Sequence, residues 1–451
     1  MHLKNLPTSP ILLARIFAAI VDLFPLPFPN FTSVPILVQK TITATSSKGI
    51  PPDRTYVNLT PEELIDLAIQ RHLARINRRG LVGGDESFFV VDLGQVTRQH
   101  RRWMQGLPGV QPYYAIKCNS DPTLIKSLAE HGTGFDCASI EEMRTVLNLG
   151  IDPSRILFAN PCKSAASLVF ARQVGILRTT FDNLDELDTI TMNMPEAQLL
   201  LRIYANDDSA LICFGEKFGA PLDTTRDLLV RARELGLEVV GVSFHVGTGA
   251  KNATAFSNAI HHASHVFNQA ISLGFTPRIL DIGGGFEDSS FECISSHILS
   301  SIRSAFPEGV TTIAEPGRFY ARSAYTLVSR VIARRRQMGA ALESGLPDML
   351  YQNDGVYGSF MNVIMEKEVM VPVLVRNAHK QSRTAIRDDT CEDEKTYRYS
   401  VWGPTCDAID CVTKEAMFGV DVKIGDWLKY SNMGGMSPFG ARLSSYDADC
   451  F

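Results

Sequence analysis

Residues Val239–Gly285 read VVGVSFHVGTGAKNATAFSNAIHHASHVFNQAISLGFTPRILDIGGG and contain a complete strand, helix and strand. The segment VVGVSFH (Val239–His245) is short and apolar, and Ala253–Leu273 has the apolar pattern of a helix. A second apolar strand, RILDI (Arg278–Ile282), follows. Apolar strands that alternate with helices are typical of a parallel sheet that is buried on both faces. This stretch therefore predicts one unit of an α/β fold.

The same unit recurs on both sides of this stretch. The predicted strands are Tyr113–Lys117, Gly134–Ala138, Ile156–Ala159, Thr179–Phe181, Leu199–Ala205, Val239–His245, Arg278–Ile282 and Thr311–Glu315. Units repeated in this way over roughly 200 residues favour a closed (β/α)8 barrel over an open doubly wound sheet. After Phe319 the apolar positions alternate at shorter spacing, as in AYTLVSRVIARRR, which predicts an antiparallel β domain.

The chain is accordingly predicted to have four parts. Residues 1–58 form an extension that we expect to be poorly ordered, because they are rich in Pro, Thr and Ser without a sustained period. Residues 59–110 supply a lead-in helix, with a capping box from Thr60 to Glu63, and a strand that packs with the β domain. Residues 111–320 form the barrel and residues 321–451 the β domain.

Composition excludes several classes of function. The chain has 451 residues and a formal net charge of -5, with no long basic block, so neither nucleic acid nor an anionic membrane is the expected partner. The apolar stretch Ile11–Phe28 is interrupted by Arg15, Asp22 and prolines, so it does not predict a membrane span. Nine scattered cysteines without a CxxC pair argue against a disulfide framework and favour the cytoplasm.

The chemically distinctive residues lie where the predicted strands end. They are Lys117, Asp136, Arg202, His245, Gly283–Gly285 and Glu315–Arg318. Barrel enzymes assemble their active sites at the carboxyl ends of the strands, so this placement itself points to an active site. Three consecutive glycines with Arg318 predict a phosphate cradle, and Lys117 facing that cradle is suited to form a Schiff base. His261 and His265 have metal-ligand spacing but no third ligand, so no metal is expected.

Eleven longer motifs follow one another in order from about Phe88 to Gly434. They are FFVVDLG, PYYAIKCN, GTGFDCAS, ILFANPCK, KFGA, VVGVSFHVGTG, LDIGGGF, IAEPGRFY, NDGVYGSF, WGPTCDAID and GDWLKYSNMG. This set resembles the eukaryotic ornithine decarboxylases, which are fold-type III decarboxylases dependent on pyridoxal phosphate (PLP). The resemblance implies an alanine-racemase-like barrel, PLP as cofactor, an amino acid as substrate and a homodimer with shared active sites.

The resemblance also assigns roles to residues. It implies that Lys117 carries the cofactor, that His245 stacks on its ring and that Glu315 pairs with the ring nitrogen. The implied cofactor-binding set is Lys117, Asp136, Arg202, His245, Thr248, Gly285, Glu315, Pro316, Gly317 and Arg318. The remaining implied site residues are Cys406 as proton donor, Asp407 as a substrate ligand, and Lys217 with Asp410 as an ion pair across the dimer interface.

Three residues in two segments depart from the family pattern. Met365 and Glu366 stand where the family has a Tyr-Asp pair that binds the substrate, and Met436 stands where it has a phosphate-binding tyrosine. Glu366 is one methylene longer than aspartate, and a misfit of that size moves discrimination between substrates by about 1–3 kcal/mol. Met365 and Glu366 are therefore the residues expected to alter substrate choice.

Three functions fit these residues. The first is decarboxylation of L-ornithine to putrescine, and the second is decarboxylation of another amino acid in specialised, alkaloid-type metabolism. The third is an inactive regulator that resembles the antizyme inhibitors, against which the retention of Lys117, His245, Glu315, Arg318 and Cys406 argues. Alanine racemases share the barrel but place an arginine at the ring nitrogen, where this chain has Glu315.

Overall fold

The computed structural model describes residues 36–39, 59–79, 85–205, 217–249, 252–375 and 396–435. The helices are α1 (Pro61–Arg79), α2 (Leu93–Gly106), α3 (Pro122–Glu130), α4 (Ile140–Asn148), α5 (Ala165–Gln173), α6 (Leu184–Asn193), α7 (Thr225–Glu234), α8 (Ala253–Ser272), α9 (Phe291–Ala305), α10 (Arg318–Ala321), α11 (Ala340–Glu343) and α12 (Met361–Met365). The strands before and within the barrel are β1 (Ile36–Gln39), β2 (Phe88–Asp92), β3 (Val110–Ala115), β4 (Gly134–Cys137), β5 (Ile156–Phe158), β6 (Arg178–Phe181), β7 (Gln198–Arg202), β8 (Glu238–Ser243), β9 (Ile279–Asp281) and β10 (Thr311–Ala314). The later strands are β11 (Tyr325–Arg335), β12 (Asp348–Gln352), β13 (Val373–Leu374), β14 (Tyr397–Trp402), β15 (Cys411–Phe418) and β16 (Trp427–Tyr430).

Strands β3 to β10 form a closed parallel barrel, which confirms the predicted (β/α)8 architecture. Closure is made by β10 against β3, where Thr312 pairs with Val110. Most strands end one to three residues earlier than the sequence predicted. Lys117, for example, lies in a 3-10 turn (Ile116–Cys118) that follows β3, and not in the strand itself.

The barrel is held together by apolar side chains on both faces of each strand. In β7, Leu200 faces the barrel interior together with Tyr113, Leu157, Val240 and Ile313. Leu199 and Leu201 point the other way and join the core beneath the surrounding helices. This alternation follows from the two-residue repeat of a strand. Each such side chain stabilises the fold by about 1.5–3 kcal/mol when it is fully buried.

A second sheet has the strand order β1-β2-β11-β12-β14-β15, with β16 paired to β11 and β13. Most pairs are antiparallel, as the sequence predicted, but β12 pairs with β14 in parallel and β1 pairs with β2 in parallel. The β12–β14 pair can be parallel because a long connection separates the two strands, and parallel strands require such a crossover. Strand β2, which precedes the barrel, lies in this sheet against β11.

Helix α1 begins at the predicted capping box. Thr60 N donates to Glu63 Oε2 at 2.6 Å, and Glu63 N donates to Thr60 Oγ1 at 3.2 Å. The helix packs Ile69 and Leu73 against β2 and β11. Apart from β1, the predicted N-terminal extension, including Ile11–Phe28, lies outside the described residues. Among the helices that are described, none combines the length and apolar character needed to cross a bilayer.

Candidate active site

Lys117 and Asp136 meet at the carboxyl end of the barrel strands. Ala115 at the end of β3 pairs with Asp136 in β4, so the turn after β3 places the Lys117 amine beside this carboxylate. Nζ of Lys117 donates to Oδ2 of Asp136, and Oδ1 of Asp136 has no hydrogen-bond partner. The Asp136 side chain is fully buried, whereas the Lys117 side chain keeps 43% of its surface accessible. The amine therefore lines an open mouth with a buried acid behind it.

Opposing effects set the pKa of Lys117. Burial lowers it, but the negative charges of Asp136 and Glu315 raise it more, so the pKa is held above its ordinary value. The Lys117 amine is consequently protonated at neutral pH. A Schiff base forms only from the neutral amine, so a neighbouring carboxylate such as Asp136 is placed to accept its proton.

Glu315 and Asp281 form a pair of buried carboxyl groups next to Lys117. Glu315 follows β10 and Asp281 ends the adjacent β9, and Glu315 N donates to Gly283 O at 2.7 Å. Burial raises the pKa of both groups, and the charge of Asp281 raises that of Glu315 further. Gly283 N donates to Asp281 Oδ1 at 2.9 Å and opposes the rise there. A cation placed at Glu315 would relieve this repulsion.

We predict that Asp281→Asn changes how the stability of the cofactor-free protein depends on pH. A carboxyl whose folded-state pKa is raised stabilises the protein at low pH, and this contribution is lost as the pH rises above roughly 4 through the folded pKa. Asparagine still accepts from Gly283 N but cannot ionise. The variant should therefore lose less free energy of unfolding than the parent as the pH rises, measured by urea unfolding from pH 4 to 8. Parallel curves for the two proteins would contradict the prediction.

His245 presents an uncharged ring at the same mouth. Burial lowers its pKa, and the positive charges of Arg202 and Lys117 lower it further. Gly247 N donates to Nδ1 of His245 at 3.0 Å, which fixes the ring orientation. A Cβ at Gly284 would lie 2.8 Å from His245 Nε2, so only glycine fits against this ring. A flat, neutral surface of this kind suits an aromatic ligand.

The loops after β9 and β10 form the predicted cradle. Gly283 and Gly285 have φ of 64° and 102°, a region in which side-chain-bearing residues are strained. A Cβ at Gly317 would lie 2.9 Å from Cys118 Cβ, so this loop also approaches closely. Pro316 O accepts from Ala115 N at 3.2 Å and fastens the loop to β3. A glycine-rich loop of this kind can present backbone N–H groups to a small anion.

Arg318, the first residue of α10, lies beside the cradle and is already paired with a carboxylate. Its Nη1 donates to Glu366 Oε2 at 2.8 Å, and its Nη2 donates to Glu366 Oε1. Thr248 is half-buried on the loop after β8. Met365, beside Glu366, is 66% exposed, and Met436 lies outside the described residues.

These residues fit PLP. Lys117 supplies the amine and His245 a neutral face. Glu315, whose pKa is raised by burial, would be stabilised by a pyridinium nitrogen. The glycine loops after β9 and β10 suit a phosphate, and the partnerless Oδ1 of Asp136 is an acceptor available to a ligand.

Cys406 and Asp407 lie on the exposed loop between β14 and β15. The bonds that fix this loop are to its own domain: Tyr357 donates its hydroxyl to Asp407 Oδ2, and Val356 N donates to Asp410 Oδ1 at 2.8 Å. The Tyr357 hydroxyl lowers the pKa of Asp407 below its usual range, which keeps it ionised. Among the described residues, neither Cys406 nor Asp407 is hydrogen-bonded to the group around Lys117. Their roles, and the Lys217–Asp410 pair across an interface, stay predictions.

Sequence reasoning did not single out Asp281 or Glu287. Asp281 ends β9 directly before the three glycines, so its position at the strand end was the available signal. Glu287 lies beyond the cradle, and its Oε2 accepts from Arg322 at 3.2 Å. Glu366, which contacts Arg318, is 48 residues away from it in the sequence. No spacing rule links such positions, so the charges around Arg318 become visible only in the folded structure.

Comparison with known proteins agrees with this chemistry. The model of the pyridoxal-binding domain of pyridoxal-dependent decarboxylases matches residues 93–322. The chain is 43% identical over 396 residues to the ornithine decarboxylase of Neurospora crassa, which covers 83% of this chain and 82% of that protein. It is also 43% identical over 353 residues to the decarboxylase flvG of Aspergillus flavus, covering 78% of this chain and 81% of that protein. The arginine decarboxylase of Paramecium bursaria Chlorella virus, solved with agmatine, superposes with a TM-score of 0.75 at 34% identity, covering 84% of this chain and 96% of that one.

Proposed function

Because this chain belongs to the pyridoxal-dependent decarboxylases, we propose that it decarboxylates a basic L-amino acid, and specifically L-ornithine to putrescine. One observation carries the proposal: the Lys117 amine contacts Asp136 in the same barrel mouth as Glu315 and the glycine cradle. The names of the relatives favour ornithine as the substrate, since the Neurospora crassa protein, 82% of which is matched by this chain, is an ornithine decarboxylase.

Each residue of the mouth has a task in this reaction. When bound, PLP withdraws electrons from Cα and so stabilises the negative charge left behind when CO2 departs. Glu315 would pair with the ring nitrogen and favour its protonated form, while His245 would support the ring face. Asp136 accepts the proton that Lys117 must lose, and Arg202 supplies positive charge that balances the buried carboxylates. The glycine loop and Arg318, together with Thr248 and Pro316, would hold the phosphate.

The residues on the β14–β15 loop are proposed to serve the active site of a second copy of the chain. Cys406 and Asp407 are exposed, so in a homodimer they could reach into the barrel mouth of the partner. Cys406 would deliver the proton to Cα after CO2 leaves, and ionised Asp407 would bind the distal amine of the substrate. We place this homodimer in the cytoplasm, without a nucleic-acid or membrane partner, in keeping with the net charge of -5 and the free thiols of the six cysteines that the structure describes.

A second candidate function is decarboxylation of a different amino acid in specialised metabolism. Exposed Met365 stands where the family has a tyrosine at the substrate, and the equally similar decarboxylase flvG does not carry ornithine in its name. A longer or less polar side chain on the substrate would suit a methionine at that wall. The regulator hypothesis has less support, because Lys117, His245, Glu315, Arg318 and Cys406 are all retained.

The test is release of CO2 from a panel of L-ornithine, L-lysine, L-arginine and L-2,4-diaminobutyrate. We expect ornithine to give the highest kcat/KM, with lysine lower by about tenfold or more, since one methylene accounts for about 1–3 kcal/mol. A preference for a substrate other than ornithine would favour specialised metabolism. Absence of CO2 from every amino acid, with the cofactor bound, would instead favour a regulator.

A further inference from the structure

Arg318 is expected to bind phosphate, but its guanidinium contacts the Glu366 carboxylate. Both terminal nitrogens of the guanidinium donate to the two oxygens of one carboxylate, with Nη1 at 2.8 Å from Oε2. The Glu366 side chain is only 3% exposed and that of Arg318 only 14%. Bidentate, charge-assisted pairs of this kind are among the strongest hydrogen bonds in proteins. Glu366 thus occupies the donors that a phosphate would use.

The surrounding charges hold Glu366 in this place. Arg322, one turn along from Arg318, contacts Glu368, and its Nη1 lies 3.2 Å from Glu287 Oε2. Lys367, between the two glutamates, has a φ of 56°, which costs a non-glycine residue about 1–2 kcal/mol. Glu366 and Glu368, on either side of Lys367, each contact an arginine. The loop after α12 is therefore anchored at two adjacent points.

The network contains more negative than positive charge. Glu287, Glu366 and Glu368 face two arginines, and Glu287 Oε1 has no hydrogen-bond partner. Burial raises the pKa of Glu287, and the charge of Glu366 raises it further. A phosphate group carries up to two negative charges and would add to this excess if Glu366 stayed in place. Phosphate and the Glu366 carboxylate therefore compete for the same guanidinium.

We propose that Glu366 is an internal anion that occupies Arg318 until the cofactor phosphate displaces it, and that this competition sets the affinity of the chain for its cofactor. The inference rests on the proposed function, because it takes the phosphate of PLP as the competing ligand. It gives Glu366 a role in cofactor binding that is separate from contact with the substrate. Glu366 should therefore weaken the binding of the cofactor through its phosphate and leave its binding through the Lys117 amine unaffected.

The test compares the parent protein with Glu366→Gln, which keeps the side-chain shape and removes the charge. Each cofactor-free dimer is titrated with PLP and with pyridoxal, which lacks the phosphate, and binding is followed by the absorbance band of cofactor joined to Lys117. We expect PLP to bind about tenfold more tightly to the variant, equivalent to about 1.4 kcal/mol. Pyridoxal should bind equally to both proteins.

Glu368→Gln is the matched control. It removes the same charge from the same loop but from the partner of Arg322, so a general electrostatic effect would tighten PLP binding as much as Glu366→Gln does. Glu366→Asp provides a second variant if the glutamine protein fails to fold, since a shorter carboxylate cannot reach both nitrogens and should tighten PLP binding by a smaller factor. A separate measurement needs no cofactor: inorganic phosphate should raise the unfolding temperature of Glu366→Gln more than that of the parent.

The outcomes distinguish a failure of the role proposed for Glu366 from a failure of the proposed function. Unchanged PLP affinity in Glu366→Gln, or an equal gain for pyridoxal or in Glu368→Gln, would overturn the role of Glu366 while the band itself still supports a PLP enzyme. Absence of the band from every protein would overturn the proposed function, and with it the competition between phosphate and Glu366. A tenfold gain that is confined to PLP and to position 366 would establish the competition.

Discussion

Lys117→Ala is expected to abolish decarboxylation, lowering the rate at least about a thousandfold, within the range for losing a group that moves protons at the reacting centre. The physical reason is that the Lys117 amine is the proposed nucleophile that joins the cofactor to the protein, and alanine can neither form that bond nor transfer a proton. The absorbance band of bound cofactor should vanish in the same protein. CO2 release and the visible spectrum, measured on one preparation, check both statements.

Lys126→Ala is the control for this variant. Lys126 lies on α3 and is exposed, so its removal changes net charge by the same amount without touching the barrel mouth. It should retain the band and parental activity. If Lys117→Ala kept the band, the cofactor would be attached elsewhere, and the chemistry assigned to Asp136 and Glu315 would have to be reassigned with it.

Cys406→Ala is expected to bind PLP normally and yet form the product amine about 10²–10⁴-fold more slowly, the range for losing a positioned general acid. Cys406 is exposed on a loop of the β domain, so its loss leaves the cofactor contacts intact. Amine formation is measured by chromatography, with the cofactor band as the measure of binding. Cys162→Ala, at another exposed cysteine, should behave like the parent.

Mixing the two inactive variants tests whether active sites are shared. If Cys406 acts in the partner's barrel, a dimer of one Lys117→Ala chain and one Cys406→Ala chain contains one intact site and one doubly defective site. Random exchange of subunits should then restore roughly one quarter of parental activity, because half of the dimers are mixed and each has one working site. No recovery, with exchange shown by a tag, would place both residues in the same chain's site.

Much of the architecture could be predicted because apolar strands and their helices are encoded locally. All eight barrel strands were identified, and the capping box at Thr60 began the helix where expected. Residues at strand ends were also predictable in position: Lys117, Asp136 and Glu315 were expected at one mouth, and the charges of both carboxylates act on Lys117 in the structure. Their roles in catalysis remain predictions.

Other features depend on tertiary packing and had no local signal. The parallel pairing of β12 with β14 follows from a long crossover, which a two-residue alternation does not reveal. Glu366 was expected to face the substrate because of its place in a motif, yet its carboxylate contacts Arg318. The orientation of α12 relative to α10 decides which nearby group the flexible Glu366 side chain contacts.

The pairing of β2 with β11 also constrains how the molecule can assemble. Phe89 pairs with Leu327, and the whole barrel sequence lies between these partners. Closing so long a loop is entropically unfavourable until the intervening residues are compact, so the second sheet should complete only after the barrel has folded. During synthesis, one edge of the apolar strand β2 therefore stays unpaired until β11, which is translated much later, becomes available. A polypeptide that began after β2 would lack a strand on which β11 depends.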